Sequence, residues 1–316
     1  VAPTPTPTPT IVIHGGAGTI PEAELTPERL AAFHAGLRAA LEAGRAVLRG
    51  GGPALQAVVA AVAVLEDDPL FNAGRGATLT RAGMVEMDAA LMDGTTGRAG
   101  AVAGVTRVRH PILAAEAVMR ATPHLLLAGP AADAFAAAQG LAIEDPSWFV
   151  TAQRRAQLDQ ARAQRRVALD HDLPEAARMG TVGAVAVDAG GHLAAATSTG
   201  GMTNKMDGRI GDTPIIGAGT WAEDATCAVS CTGKGEAFIR CAAAHQVAAL
   251  IRYRGLTPQE AAEEVALRAV PAQEGSGGLI VVDGQGRVGM AFGTGGMYRG
   301  VARGEDAPET AIHRAG

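Results

Sequence analysis

Apolar residues along this chain keep a helical spacing through most of its first half. From residue 181 they fall mainly into short runs bounded by glycine. Leu30, Phe33, Leu37, Leu41 and Leu48 share one helical face. Thr26 is placed to cap that helix, Pro27 fits its first turn, and Gly50-Gly51-Gly52 ends it. Pro53 to Glu66 is apolar almost all round, with Gln56 the main exception, which predicts a helix buried between layers. Ahead of both, Ile11-Val12-Ile13-His14 reads as a short buried strand running into a glycine turn at 15–18. The stretch around Glu86-Met87-Asp88-Ala89 and Met92-Asp93 is strand-like but carries carboxylates, which need partners if buried. Pro111 to about Gly140 is alanine-rich and helical, broken near Pro123 and Pro130. Ser147 to about Asp170 carries Arg154, Arg155, Arg162, Arg165 and Arg166 among acids, and reads as a solvated helix face. Asp170 to Gly180 holds Pro174 and few large apolar residues, so an exposed linker is expected there, part of a linker region at about 150–180.

Past that linker, 184–188 and 192–199 predict two strands joined by Ala189-Gly190-Gly191. The pattern recurs. Gly180, Gly183, Val187, Asp188, Thr199 and Gly200 have counterparts at constant offset in Gly275, Gly278, Val282, Asp283, Thr294 and Gly295, with Ser276 in the place of Thr181. One hairpin used twice within one sheet system is expected. Ala228 to Cys231 predicts another strand. Thr232-Gly233-Lys234-Gly235 then leads into a helix from Glu236 to about Arg254, whose first amides face outward. Thr257-Pro258-Gln259-Glu260 is a capping box opening a last helix to about Val270, and a polar, loose tail is expected after Met297.

Composition narrows the class. A chain of 316 residues with 47% hydrophobic residues can build one large domain or two small ones. The net charge of -5 and the lack of aromatic interleaving give no basis for nucleic-acid binding. No apolar run approaches a membrane span. Cys227, Cys231 and Cys241 lack metal-type pairing and read as free thiols. The opening Val-Ala-Pro-Thr-Pro-Thr-Pro-Thr-Pro-Thr is expected to be a disordered head over residues 1–10. A removed signal ahead of it would imply a periplasmic or exported protein.

Three glycine-rich stretches invite motif readings. His14-Gly15-Gly16-Ala17-Gly18 lacks the full dinucleotide fingerprint, and Gly233-Lys234-Gly235 lacks the P-loop spacing. The strand-to-helix turn at Thr232-Gly233 is suited to an oxyanion hole. The third stretch, Gly180-Thr181-Val182-Gly183, sets a threonine at the head of an apolar strand, straight after the expected linker. By itself this is an ordinary strand start. It also suits a nucleophile: cleavage between Gly180 and Thr181 gives the hydroxyl a base, the threonine's own α-amine. Leu65 to Gly76 forms a loop able to present carbonyls to a hard cation, although a plain turn is the default.

Taken together, His14 to Gly18, Phe71-Asn72-Ala73-Gly74, Gly180 to Gly183, Thr197 to Gly201, Arg209-Ile210-Gly211-Asp212 and Ser230 to Glu236 resemble the plant-type L-asparaginases, or isoaspartyl peptidases. These are N-terminal-nucleophile hydrolases, and the resemblance runs from about Ile11 to Tyr298. It implies an α/β (α+β) fold built as a four-layer αββα sandwich. It further implies an α subunit over 11–180 and a β subunit over 181–316 after self-cleavage, a homodimer of αβ pairs, and a small amino-acid or dipeptide substrate. Thr181 takes the nucleophile's place, and Thr199 that of a second threonine orienting it. Thr232 and Gly233 match the oxyanion segment. Arg209 matches the holder of the substrate α-carboxylate, while Asp212, Gly233 and Gly235 match the α-ammonium side. Asn72, Gly15 and Gly16 fall at supporting positions. Main-chain oxygens of Leu65, Glu66, Asp68, Phe71, Ala73 and Arg75 match a structural sodium site, and no catalytic cofactor is implied. Relatives that act on glycosylated asparagine carry His-Asp before the threonine, where this chain has Met179-Gly180. Members of the family are usually cytoplasmic.

Overall fold

The computed structural model describes residues 7–18, 26–163 and 180–314. The linker expected just before Gly180 and most of the Pro-Thr head lie outside the described residues. The chain forms a mixed α/β structure with two sheets. The larger contains β1 (Thr10–Gly18), β2 (Met87–Asp93), β3 (Ala99–Val105), β4 (Leu126–Ala128), β5 (Val182–Val187), β6 (Leu193–Thr199), β11 (Gly296–Arg303) and β12 (Glu309–Ala311). The smaller contains β7 (Thr220–Glu223), β8 (Cys227–Gly233), β9 (Gly277–Asp283) and β10 (Val288–Phe292). Strand order is β12-β11-β1-β5-β6-β2-β3-β4 in the first sheet and β10-β9-β8-β7 in the second.

Alternation along the strands sorts the core. Ile11 and Ile13 of β1, with Ala184 and Ala186 of β5, face α1 (Pro27–Arg49), α2 (Ala54–Asp67) and α3 (Pro111–Ala121). Val12, Val185 and Val187 turn the other way and meet Ala228, Ile280 and Val282 of the second sheet. The far side of that sheet, through Val229, Cys231, Leu279 and Val281, packs on Phe238, Val247 and Val265. These central strands are buried on both faces, so their sequence is continuously apolar rather than alternating. Each large side chain so buried contributes roughly 1.5–3 kcal/mol.

Several expectations need correction. The first strand does not stop at His14. It runs from Thr10 to Gly18, with a register shift between His14 and Gly16 where it pairs with β11, so the glycines belong to a bulged strand and Thr10 to the sheet rather than the head. The repeated hairpin occurs in two sheets, as β5-β6 in one and β9-β10 in the other. The helix expected over 236–254 is two, α6 (Gly235–Arg240) and α7 (Ala243–Arg254). Ala242 breaks it in the left-handed region (φ 48) because the Ala244 and His245 amides are held by the Ala218 and Gly217 carbonyls. The tail after Met297 is not loose: β11 pairs with β1 over eight positions, and Tyr298, Val301 and Ala302 are buried. The arginine-rich helix is α5 (Ala152–Ala163), but Arg154 is inside the protein, donating to the Gly76 carbonyl and to Gln157 Oε1. The alanine-rich region is interrupted by β4 before α4 (Gly129–Ala138). The last helix, α8 (Pro258–Glu264), keeps its capping box and then widens into a π turn over Val265–Ala269.

Candidate active site

β5 and β6 pair antiparallel with Val182 opposite Ser198, which sets Thr181 beside Thr199 at the same end of the sheet. The Thr181 hydroxyl donates to Thr199 Oγ1 at 3.0 Å, and Thr199 Oγ1 accepts the Gly201 amide at 2.9 Å. Both threonines are buried. The Thr181 carbonyl accepts from His14 Nδ1 at 2.9 Å. His14 is fully enclosed, and burial holds its imidazole down at about 3, so it is neutral at working pH. His14 is a buried histidine whose ring nitrogen is satisfied by the candidate nucleophile.

The Gly180–Thr181 peptide is tightly enclosed. A Cβ on Gly16 would lie 2.6–2.8 Å from the N, O and C atoms of Gly180. A Cβ on Gly180 would lie 2.5 Å from Thr232 Oγ1 and 3.1 Å from the Ala17 N and O atoms. The φ of +111° at Gly16 adds a backbone reason for glycine there. Thr232 is buried near the end of β8 and accepts the Ala17 amide through Oγ1 at 3.2 Å. Gly233 follows, so close to β9 that a Cβ on it would meet the Ser276 carbonyl at 2.4 Å. The Lys234 amide is already given to that same carbonyl at 3.0 Å.

Arg209, Asp212 and Gly235 converge. A Cβ on Gly235 would sit 2.9 Å from Asp212 Oδ1 and 3.0 Å from Arg209 Nη2. Asp212 is buried and its Oδ2 has no hydrogen-bond partner among the described residues. Burial pushes its carboxyl up to about 7, against the pull of its own amide and of Arg209. Arg209 makes a two-pronged pair with Glu236, Nε to Oε1 and Nη2 to Oε2, each at 3.0 Å. The sequence reading gave Glu236 no role. Its place three residues past Gly233, in the first turn of α6, is the signal that was there to use. Lys205 was also missed. It is buried and donates to the Glu86 carbonyl at 2.7 Å, and a Cβ on Gly201 would lie 3.0 Å from its Nζ and 3.3 Å from Arg209 Nη1. Burial lowers its ammonium's pKa, which buried Asp88 partly offsets.

Asn72 braces the strand end behind Thr199. Its Nδ2 donates to the Gly201 carbonyl at 2.7 Å, its Oδ1 accepts the Thr78 amide at 2.9 Å, and its carbonyl accepts the Gly200 amide at 3.1 Å. Gly15 supports at one remove, because a Cβ there would strike the Phe71 ring at 2.5 Å.

The segment from Leu65 to Arg75 has features that fit a monovalent cation. Leu65 lies in the last turn of α2, and the residue four places on is Pro69, which has no N–H to return to the Leu65 carbonyl. No basic residue sits in that last turn. The Glu66 carbonyl presses on Gly74, and the Phe71 and Pro69 carbonyls press on Gly76, so main-chain oxygens crowd this turn. The Glu66 carboxyl faces elsewhere, accepting from Ser198 Oγ at 2.6 Å and the Ile112 amide at 3.0 Å, and burial raises it to about 8. Arg75 points its guanidinium over Trp148, 4.7 Å from the ring centre. Asp68 Oδ1 accepts the Leu70 amide, and the Ala73 carbonyl accepts the Gly76 amide. Among the described residues no group of three or more His, Cys, Asp or Glu is arranged to hold a metal ion. No helix among them is long and apolar enough to cross a membrane.

A family model described as Asparaginase matches residues 7–312. An isoaspartyl peptidase of Salmonella typhimurium is 52% identical over 96% of this chain and 98% of its own length. An isoaspartyl peptidase of Escherichia coli is 50% identical over 96% of both chains. A plant-type L-asparaginase of Pyrococcus abyssi is 44% identical over 96% of this chain and 99% of its own. With a family match across nearly all of its length and relatives this similar from end to end, the chain belongs to the asparaginase family and is a hydrolase.

Proposed function

We propose that Thr181 is a nucleophile released by self-cleavage at Gly180–Thr181, and that the processed protein hydrolyses the side-chain amide of L-asparagine and the β-aspartyl bond of isoaspartyl dipeptides. The observation that carries this is the enclosed Gly180–Thr181 peptide, pressed between Gly16 and Thr232, with the Thr181 hydroxyl given to Thr199. In processing, Thr181 Oγ attacks the Gly180 carbonyl carbon. The C–N bond breaks, its nitrogen takes a proton to become the free Thr181 amine, and water opens the resulting ester, releasing the Gly180 carboxylate and restoring the Thr181 hydroxyl. In turnover that amine takes the hydroxyl proton, and Oγ attacks the β-carbonyl of substrate. Thr232 and the Gly233 segment meet the developing oxyanion, ammonia or an amine departs with a proton, and water hydrolyses the acyl ester.

Arg209 binds the substrate α-carboxylate, for which a guanidinium fork is suited. Glu236 already occupies two of its donors, so substrate uses the free Nη1 or displaces Glu236. Asp212 supplies an acceptor to the α-ammonium through its unpartnered Oδ2, with Gly233 and Gly235 beside it. The carbonyls of Leu65, Glu66, Asp68, Phe71, Ala73 and Arg75 would hold a sodium ion that stiffens the loop carrying Asn72. The fuller reading is a four-layer αββα sandwich of α and β subunits, 11–180 and 181–316, paired as an (αβ)2 dimer in the cytoplasm. Its test is the rate of hydrolysis of L-asparagine, a β-aspartyl dipeptide and glycosylasparagine by the processed protein. Turnover of the first two is expected. Preference for glycosylasparagine, or for a folded protein, would move the reading to another member of the same chemistry.

A further inference from the structure

Beneath the candidate catalytic residues lies a second polar tier. Thr197 and Ser230 each stand two residues before Thr199 and Thr232 on β6 and β8, and so share their faces. Ser230 Oγ lies 2.9 Å from His14 Nε2, Thr197 Oγ1 lies 2.7 Å from Ser230 Oγ, and Thr220 Oγ1 lies 2.7 Å from Thr197 Oγ1. All four side chains are fully buried. The proton order follows from the chemistry of the end group. The Thr181 carbonyl can only accept, so His14 carries its proton on Nδ1. Nε2 is then a bare acceptor that takes the Ser230 proton. Ser230 has no second proton, so Thr197 donates to it, and Thr220 donates to Thr197. Longer contacts at 3.4 and 3.3 Å, to the Gly219 and Thr213 carbonyls, flank this row without competing for its short links. Space is reserved for it as well. A Cβ on Gly183 would lie 2.0 Å from Ser230 Oγ and 2.5 Å from His14 Nε2.

We propose that His14 is a positioning residue for the nucleophile: its Nδ1–H holds the Thr181 carbonyl, and the one-directional chain Thr220, Thr197, Ser230 keeps that nitrogen protonated. The proposal rests on Thr181 being the nucleophile. Fixing the carbonyl fixes rotation about the Thr181 Cα–C bond, and with it the directions of Oγ and of the amine released by cleavage. The residue touches no reacting atom. The chain also joins β1, β5 and β6 of one sheet to β8 and β7 of the other, so strands carrying Thr181, Thr199 and Thr232 are tied at one level.

The two ring nitrogens have separate amide mimics, which gives the test. Asparagine places an N–H where Nδ1 stands, and glutamine places its amide near Nε2. His14→Asn is expected to keep kcat on a β-aspartyl dipeptide within about 5-fold of the parent, while His14→Gln lowers it about 100-fold, KM changing little in either. The rate of cleavage at Gly180–Thr181 should follow the same order. Gly183→Ala, which pushes into both Ser230 and the ring, should behave as His14→Gln does. Equal kcat for the two His14 variants at matched Tm would overturn the proposal while leaving the assigned activity standing. A parent protein inert toward the dipeptide would remove that activity and the proposal with it. If the variants do not fold, the nitrogen NMR signals of the parent's histidine decide: a His14 proton on Nδ1 supports the chain, and one on Nε2 overturns it.

Discussion

Asp212 shows at the scale of one residue how binding and stability pull apart. Its carboxyl is buried with one oxygen unpartnered, and its pKa stands at about 7 rather than 3.8. A carboxyl raised on folding holds its proton better in the folded state. Its contribution to stability is therefore complete below pH 3.8 and is lost as pH climbs through about 7. Asp212→Asn should match the parent in Tm in acid and gain on it steadily from about pH 4 to 7, holding the gain above that. A pH-independent offset between the two melting curves would count against the buried charge. The same group must be ionised to receive an ammonium, so kcat/KM on L-asparagine should fall below about pH 7, and kcat should resist to lower pH because bound ammonium stabilises the carboxylate. Arg209→Ala should raise KM about 100-fold or more and leave self-cleavage intact, since the role proposed for the guanidinium is to hold substrate and not the Gly180 peptide. Unchanged KM would displace Arg209 from the clamp. Thr181, Thr199, Thr232, Arg209 and Asp212 were legible because each sits in a motif of distinctive composition. The Arg209–Glu236 pair and the His14 contact were not, because each joins residues far apart in sequence or across two elements, and no local spacing records such a meeting.

Among the elements, α1 and α2 were readable almost to the residue. Thr26 caps one, as its Oγ1 accepts the Arg29 amide, and an all-apolar face marks the other as buried. What brings them close is Gly44, where a Cβ would meet Ile11 Cδ1 at 2.2 Å and the Ala57 carbonyl at 2.8 Å. Gly44→Val should lower Tm by about 2–8 °C through overpacking while each surviving site turns over normally. Loss of turnover without loss of Tm would mean that this helix pair shapes the site directly. The Leu65–Arg75 segment makes a separate prediction. Its crowded carbonyls at a helix end should bind sodium, so Tm should rise with sodium chloride beyond its rise in matched choline chloride. Equal curves in the two salts would leave the turn without an ion. The α6–α7 break and β11 were illegible for a shared reason. Ala242 is held left-handed by distant carbonyls, and the glycines and arginines of β11 dilute its apolar pattern while β1 supplies eight pairings.

Across the whole molecule, two sheets from different parts of the chain meet so that the head of β5, the ends of β6 and β8 and the bulge of β1 surround one peptide bond. The sequence made the hairpin repeat visible but not its division between sheets, since an internal likeness does not say which edge each copy joins. Ser276, in the place of Thr181 in the second copy, stands at the second sheet, where its carbonyl accepts the Lys234 amide and packs on Gly233. Everything in the functional account depends on Thr181 acquiring a free amine. The most direct test is intact mass under denaturing conditions after incubation of the purified protein. Two fragments, the second beginning at Thr181 and absent in Thr181→Ala, are the predicted result. A single uncut chain, still whole after days at neutral pH, would contradict it.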